Sequence, residues 1–348
     1  MLTAPEISKK YPAVFESQLT DCVVSLSYSH DDSLLFATAT DGMTLVLDPM
    51  TGRQIQSIPP PVNAGAFWNA PHPTRNLLAI GYDDGQAIIH STDGSSPPMT
   101  LSHPDKWVEH GAWSPCGKFL ATAAGKKTHF WNAVGQLVST TPDHGGTIAD
   151  LRWHPQKEEL AVAAYGGVSV WDANDFTTMT PLPYKGPLLA IGWSPDGQWL
   201  VSGNQDASLH IWPMRKKTED LHMSGYAVKV RHLSWSRDSR RMACANLNHI
   251  TVWDFSGKGP ANTTPEMFET LSGEVTALAY HPAEPLLIAV GDTDGFVALY
   301  SHSIKNFVAL RALDNEPVER LIWNHSGSQL AVAGRNGLVR VWKINLGK

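Results

Sequence analysis

Apolar and polar positions along the chain fall into a motif that returns about every forty residues. An apolar stretch ends in an aromatic, a polar turn follows, then an alternating strand, a second turn and a second aromatic. The leading aromatics are Tyr28, Trp68, Trp113, Trp153, Trp193, Trp235, Tyr280 and Trp323, separated by 40, 45, 40, 40, 42, 45 and 43 residues. One continuous enzyme-like core has no reason to repeat the same local design. Stacked units do, because each leaves apolar faces that only the next can cover.

Residues 188 to 212 show the unit most clearly. Leu188, Ile191 and Trp193 give the apolar side of a short strand. In Ser194-Pro195-Asp196-Gly197 the proline fixes a φ angle, the aspartate caps backbone donors and the glycine accepts positive φ. Trp199 to Ser202 forms a second strand, Gln205-Asp206 turns it, and Leu209, Ile211 and Trp212 populate a third. Helical three-and-four spacing is absent between the turns. Strands this short, joined this tightly, pair antiparallel. Later units close on Trp131, Trp171, Trp253, Tyr300 and Trp342, whereas Leu47 and His90 stand there in the first two. The second unit is the least regular, with a small insertion expected around Ala70-Pro71-His72-Pro73.

The spacing, the Ser-Pro-Asp-Gly turn and the dipeptides Trp171-Asp172 and Trp253-Asp254 resemble the WD40 repeat family from about residue 14 to residue 346. The resemblance implies an all-β β-propeller of four-stranded antiparallel blades, used by the family mainly as a platform for partner proteins. Eight blades are expected; seven, with one degenerate unit outside the ring, is the alternative. The family's buried network joins a histidine before the first strand, a Ser or Thr in the second, an Asp in the following turn and the closing Trp. Here His103, His144 and His222 lack the matching Asp, while Asp41, Asp84, Asp206 and Asp294 stand in repeats that lack the His. No repeat is expected to hold the whole network, which shifts blade stability toward packed Trp and aliphatic side chains. The chain ends on a third strand, Leu338 to Ile344. Ala13 to Ser17, upstream of the first repeat, is therefore expected to supply the last blade's outer strand and remove an open edge. Residues 1–20 then form the N-terminal segment and 21–346 a single propeller domain.

Composition narrows the function. Net charge is −6, from 27 basic and 33 acidic residues, which argues against a broad nucleic-acid surface. The basic runs Arg215-Lys216-Lys217 and Arg237 to Arg241 read as solvated loops or turns. Cys22, Cys116 and Cys244 are too scattered for a disulfide framework or a zinc motif and suit a reducing, cytoplasmic setting. No signal-peptide run follows Lys9 and Lys10, and no apolar stretch has membrane-spanning length. Fifteen histidines invite a metal hypothesis. Yet His154 and His281 occupy the turn slot held by Ser114 and Ser194, His30 and His325 lie one residue further on, and His72, His103, His110 and His144 are scattered over loops. The adjacent carboxylates Asp31-Asp32, Asp83-Asp84 and Glu158-Glu159 need not converge. No nucleophile elbow or phosphate loop is present. The chain is read as a non-catalytic scaffold without cofactor or metal, monomeric by itself, binding a protein or peptide and neither nucleic acid nor membrane. The alternative is an enzyme or ligand-binding propeller with its site at the channel mouth.

Loops before each first strand, and those joining second and third strands, should converge on one face. Trp107, in His103-Pro104-Asp105-Lys106-Trp107, is the leading candidate there, because a Trp in a polar loop calls for a cover. Tyr165, Tyr184 and Tyr226 add aromatics, and Lys229, Glu274 and Arg335 add charged contacts. A mixed aromatic and charged rim suits peptide recognition.

Overall fold

A computed structural model describes residues 11–346 except 105, 179–180, 216–219, 270–272, 304–305, 312 and 314. Lys9, Lys10, Asp105, Lys216 and Lys217 therefore lie outside the described residues. Eight antiparallel sheets follow one another around a ring. Their inner strands are Val23–Tyr28, Ala66–Pro71, Val108–Trp113, Asp150–Trp153, Leu188–Trp193, Leu233–Trp235, Val275–Tyr280 and Val318–Trp323. Each touches the next, and the last touches the first. The architecture is an eight-bladed β-propeller.

Second strands such as Phe119–Ala124 and Gln329–Gly334 are buried at every residue. Neighbouring blades cover both of their faces, so they read as continuous small-apolar runs, FLATAA and QLAVAG, instead of alternating. The leading aromatics tie blade to blade. Trp113 Nε1 donates to Ala70 O, Trp153 Nε1 to Ala112 O, Trp193 Nε1 to Arg152 O and Trp323 Nε1 to Ala279 O, at 2.9 to 3.2 Å. In each case a Trp at the end of one inner strand reaches back to the inner strand before it.

The slot after the aromatic carries a second inter-blade device. His154 Nδ1 accepts the Gln156 N–H and His281 Nδ1 those of Ala283 and Glu284, as a turn-initiating residue should. With Nδ1 accepting, the ring proton sits on Nε2, and His281 donates it to Gly327 O in the next blade (2.9 Å). The rings pack on the next blade's leading Trp, His154 on Trp193 at 4.8 Å and His281 on Trp323 at 4.7 Å.

His72 belongs to this set, which corrects the reading of the second unit. Its Nδ1 accepts the Thr74 N–H, its Nε2 donates to Gly117 O (3.0 Å), and its ring lies 4.6 Å from Trp113. Pro71 pairs with Leu78 as Trp113 pairs with Leu120, so Pro71 and not Trp68 fills the leading slot. The expected insertion vanishes: from Tyr28 to Pro71 and on to Trp113 the steps are 43 and 42 residues. Trp68 fills the space between blades 2 and 3 from another position, donating Nε1–H to Val108 O (2.8 Å). Two glycines make room for it. A Cβ at Gly81 or Gly111 would lie 2.2 or 2.1 Å from the indole.

The ring closes as the sequence suggests. Ala13–Gln18 pairs antiparallel with Leu338–Lys343, from Gln18 opposite Leu338 to Ala13 opposite Trp342. Arg340 grips Glu16 at 2.7 Å. At the seam between blades 8 and 1, Asp32 accepts hydrogen bonds from Asn324 Nδ2, His325 N and Ser326 N at 2.8 to 3.0 Å. Arg320 Nε crosses the same seam to Val24 O at 2.6 Å.

Candidate interaction face

Because strands alternate in direction, the connection entering each inner strand and the turn between second and third strands share one end of the blade. In blade 3, Val108 faces Ala124, and Ala124 faces Lys127. The eight such ends form one rim. Trp107, Tyr184, Tyr226, Lys229 and Glu274 precede inner strands, and Tyr165 and Arg335 stand in second-to-third turns, so the fold brings all of these candidates to that rim.

They are not equally available. Trp107 is 59% and Tyr165 62% exposed, and Lys229, Glu274 and Arg335 are exposed as well. Tyr184 and Tyr226 are half-buried, with their hydroxyls occupied inside the blades. Tyr184 donates to Asp206 Oδ2 (2.7 Å) and lies 3.1 Å from Ser208 Oγ, while its ring packs 5.1 Å from His210. Tyr226 accepts the Trp253 Nε1–H (2.7 Å) and lies 3.4 Å from Cys244 Sγ. Burial pushes the Tyr226 hydroxyl well above its ordinary value, so it stays protonated.

Blades 3 and 4 hold parts of the network and not the whole of it, as the sequence leads one to expect. Blade 3 keeps three of the four family members: His103 Nε2 and Trp131 Nε1 both lie 2.8 Å from Thr122 Oγ1. Blade 4 moves the hydroxyl to the third strand, where Ser169 joins His144 (3.2 Å) and Trp171 (3.1 Å). Blades 5 and 6 use tyrosine where blades 3 and 4 use histidine. What removes the aspartate is turn length. Ala123 pairs with Thr128 and Ala163 with Val168, whereas Gly203 pairs with Leu209. Blades 3 and 4 are thus one residue shorter at this turn than blade 5, and the slot that Asp206 fills does not exist. His103 Nδ1 is left buried without a partner. Burial pushes its pKa down to about 4, with the neighbouring His129 acting in the same direction.

Sequence reasoning missed a further ring of residues. The inner strands of six blades bulge at one place, at Val24, Phe67, Glu109, Leu189, Thr276 and Glu319. A bulge unpairs its residue and re-aims the side chain. Two of these residues reach the candidates. Phe67 lies 5.7 Å from Trp107, tilted by 39°. Glu319 holds Arg335 at 2.8 Å, an exposed pair worth at most about 1 kcal/mol. The only sequence signal would have been their constant offset, four residues before the leading slot.

Polar groups also stand immediately before two inner strands, at Cys22 and His232. Burial pushes His232 down to about 4, and the Arg320 and Arg231 charges act in the same direction, so it is neutral at neutral pH. Burial and the nearby Glu319 carboxylate raise Cys22 above its ordinary value, which makes it a thiol and not a reactive thiolate. Among the described residues, no three His, Cys, Asp or Glu side chains are grouped to hold a metal ion. No helix among them is long and apolar enough to cross a membrane.

The model of the WD domain, G-beta repeat, matches residues 95–132, 181–213 and 310–343. THO complex subunit 3 of Arabidopsis thaliana is 25% identical over 256 residues, covering 70% of this chain and 78% of that protein. The COMPASS component SWD1 of Saccharomyces cerevisiae is 25% identical over 216 residues, 56% of this chain and half of that protein. The crystal structure of the computationally designed protein Ika8 superposes with a TM-score of 0.77 at 17% identity, over 94% of this chain and 98% of its own, a likeness of fold alone. Phased repeats, four-stranded blades in a closed ring and partly rebuilt His–Thr–Trp networks together make the chain a divergent WD40-repeat β-propeller.

Proposed function

We propose that the protein is a non-catalytic scaffold that presents the rim carrying Trp107 and Tyr165 to a partner protein or peptide in the cytoplasm. The observation that carries this reading is the exposure of Trp107 beside Phe67. An exposed Trp packed on a half-buried Phe is the kind of aromatic anchor that forms the core of a binding hot spot. Tyr165, at the tip of a two-residue turn, extends the surface, and Lys229, Glu274 and the Arg335–Glu319 pair give it a charged border. Two relatives are by name components of larger complexes, THO complex subunit 3 and COMPASS component SWD1, and that supports the same class of role. The free chain is expected to be monomeric.

Cross-linking of the protein in its native cells tests the proposal, because exposed lysines mark both faces. Lys106, Lys126, Lys185 and Lys229 lie at the rim end, and Lys118 and Lys157 at the opposite end. The rim partner should cross-link to the first group and lose that contact in the Trp107→Ala, Tyr165→Ala variant. A partner that ignores the rim lysines contradicts the reading.

A further inference from the structure

Two basic runs that look like ordinary solvated turns in the sequence meet in space. Arg215 follows the third strand of blade 5, Leu209–Pro213, and Arg240 lies in the turn between the first two strands of blade 6. Both line a cavity of about 770 Å³ that also includes Lys258, from the connection after His249–Asp254. The cavity opens between blades 5 and 6 on the face opposite the rim. Arg237, from the same run, is committed elsewhere and donates to Pro282 O at 3.0 Å.

The floor is aromatic. Trp199 is half-buried and meets Phe255 edge-on at 5.3 Å; Phe255 is backed by Trp235 at 4.5 Å. Phe255 and the Gly259 backbone cover part of this indole, and the rest of it lines the cavity. Gly259, at φ +87°, passes so close that a Cβ there would lie 2.5 Å from the Trp199 ring. Leu221 adds an apolar wall.

The charges around the floor are unbalanced in a specific way. Asp196 and Asp238 also line the cavity but are tied into their own turns. Asp196 accepts from Ser194 Oγ (2.6 Å), Gln198 N (3.0 Å) and Gln198 Nε2 (2.6 Å), and Asp238 from Ser236 Oγ (2.6 Å) and Arg240 N (3.1 Å). Among the described residues, none of Arg215, Arg240 and Lys258 makes an ion pair. Three exposed cations, none in an ion pair among the described residues although Arg240 is near enough to Asp254 to lower its pKa, thus border a half-buried aromatic surface on a chain of net charge −6.

We propose that this groove is a second docking site, for an acidic peptide segment of a partner protein. One large apolar side chain of the segment lies on Trp199, and its flanking carboxylates meet Arg215, Arg240 and Lys258. The volume falls in the range of sites that enclose a few side chains, roughly 300–1,000 Å³. Leu221 and Phe255 beside Trp199 make the floor apolar, which favours a peptide's apolar side chain over a bare phosphate backbone.

Fluorescence anisotropy on the full chain tests this with a labelled Asp-Glu-Leu-Phe-Asp-Glu peptide. The comparison probes are its Lys-for-acid counterpart and a labelled single-stranded oligonucleotide. The acidic peptide should bind, weaken as salt rises, and lose about tenfold or more in affinity on Arg240→Glu with Lys258→Glu. Those residues are exposed, so the fold should survive; a Trp199→Ala variant, checked by circular dichroism, should lose binding as well. Absence of acidic-peptide binding, binding indifferent to the charge reversal, or preference for the oligonucleotide or the basic peptide would each overturn the proposal.

Discussion

Thr122→Val isolates the rebuilt network of blade 3. Thr122 is fully buried, and its hydroxyl is the shared partner of His103 Nε2 and Trp131 Nε1, each at 2.8 Å. Valine keeps the shape and removes both bonds. His103 and Trp131 are 2% and 6% exposed, so water cannot replace the lost partner. Each orphaned buried group costs about 1–3 kcal/mol, and the apolar methyl returns part of that, for a net loss of about 3 kcal/mol. At about 2.1 cal/mol/K per residue over 348 residues, the unfolding entropy converts this to a fall of about 4 °C in melting temperature. The control is Thr128→Val in the next strand of the same blade. Thr128 is equally buried, but its hydroxyl has no partner. The same chemical change there should be neutral or raise the melting temperature by about a degree. Differential scanning calorimetry decides the matter, and equal shifts for the two variants would refute the network.

Two further outcomes follow from the ring and its histidines. A chain beginning at Leu19 lacks the strand that pairs with Leu338–Lys343, so it should melt lower and self-associate through the open edge; a monomer with unchanged melting in light scattering and calorimetry would show that closure does not depend on that strand. Burial holds His90, His103, His129 and His232 at about 4, below the ordinary value near 6.5 of the unfolded chain. The unfolded state therefore binds more protons below pH 6.5, so stability is fully present above that pH and falls toward pH 4. The slope is up to about 1.4 kcal/mol per pH unit for each histidine. Urea midpoints should be lower at pH 5.5 than at 7.5, and an equal or higher midpoint at 5.5 would contradict their burial as neutral rings.

The ring was legible because its causes are local and recur. The turn chemistry of Ser194 to Gly197, the paired aromatics and the unpaired third strand at Leu338 each state a requirement that one blade alone reveals. Trp68 was misplaced because its slot depends on Gly81 and Gly111, in a neighbouring strand and the next blade, and no periodicity reports that space. Tyr226 reads as a loop aromatic until the fold sets its hydroxyl beside Trp253, 27 residues away. Phe67 and the groove between blades 5 and 6 were invisible for a related reason. A bulge re-aims the first, and the second assembles from Arg215, Arg240 and Lys258, whose separations carry no period. Trp107 and Tyr165 were visible because each interrupts a polar turn.

The most direct test of the rim is the affinity of the cross-linked partner for the Trp107→Ala, Tyr165→Ala protein, measured by titration calorimetry beside the unaltered chain. Both residues are exposed, so the melting temperature should stay within about 1 °C, while affinity falls about a hundredfold as two hot-spot aromatics are lost. Unchanged affinity in a correctly folded variant would contradict the assignment of this rim as the binding face.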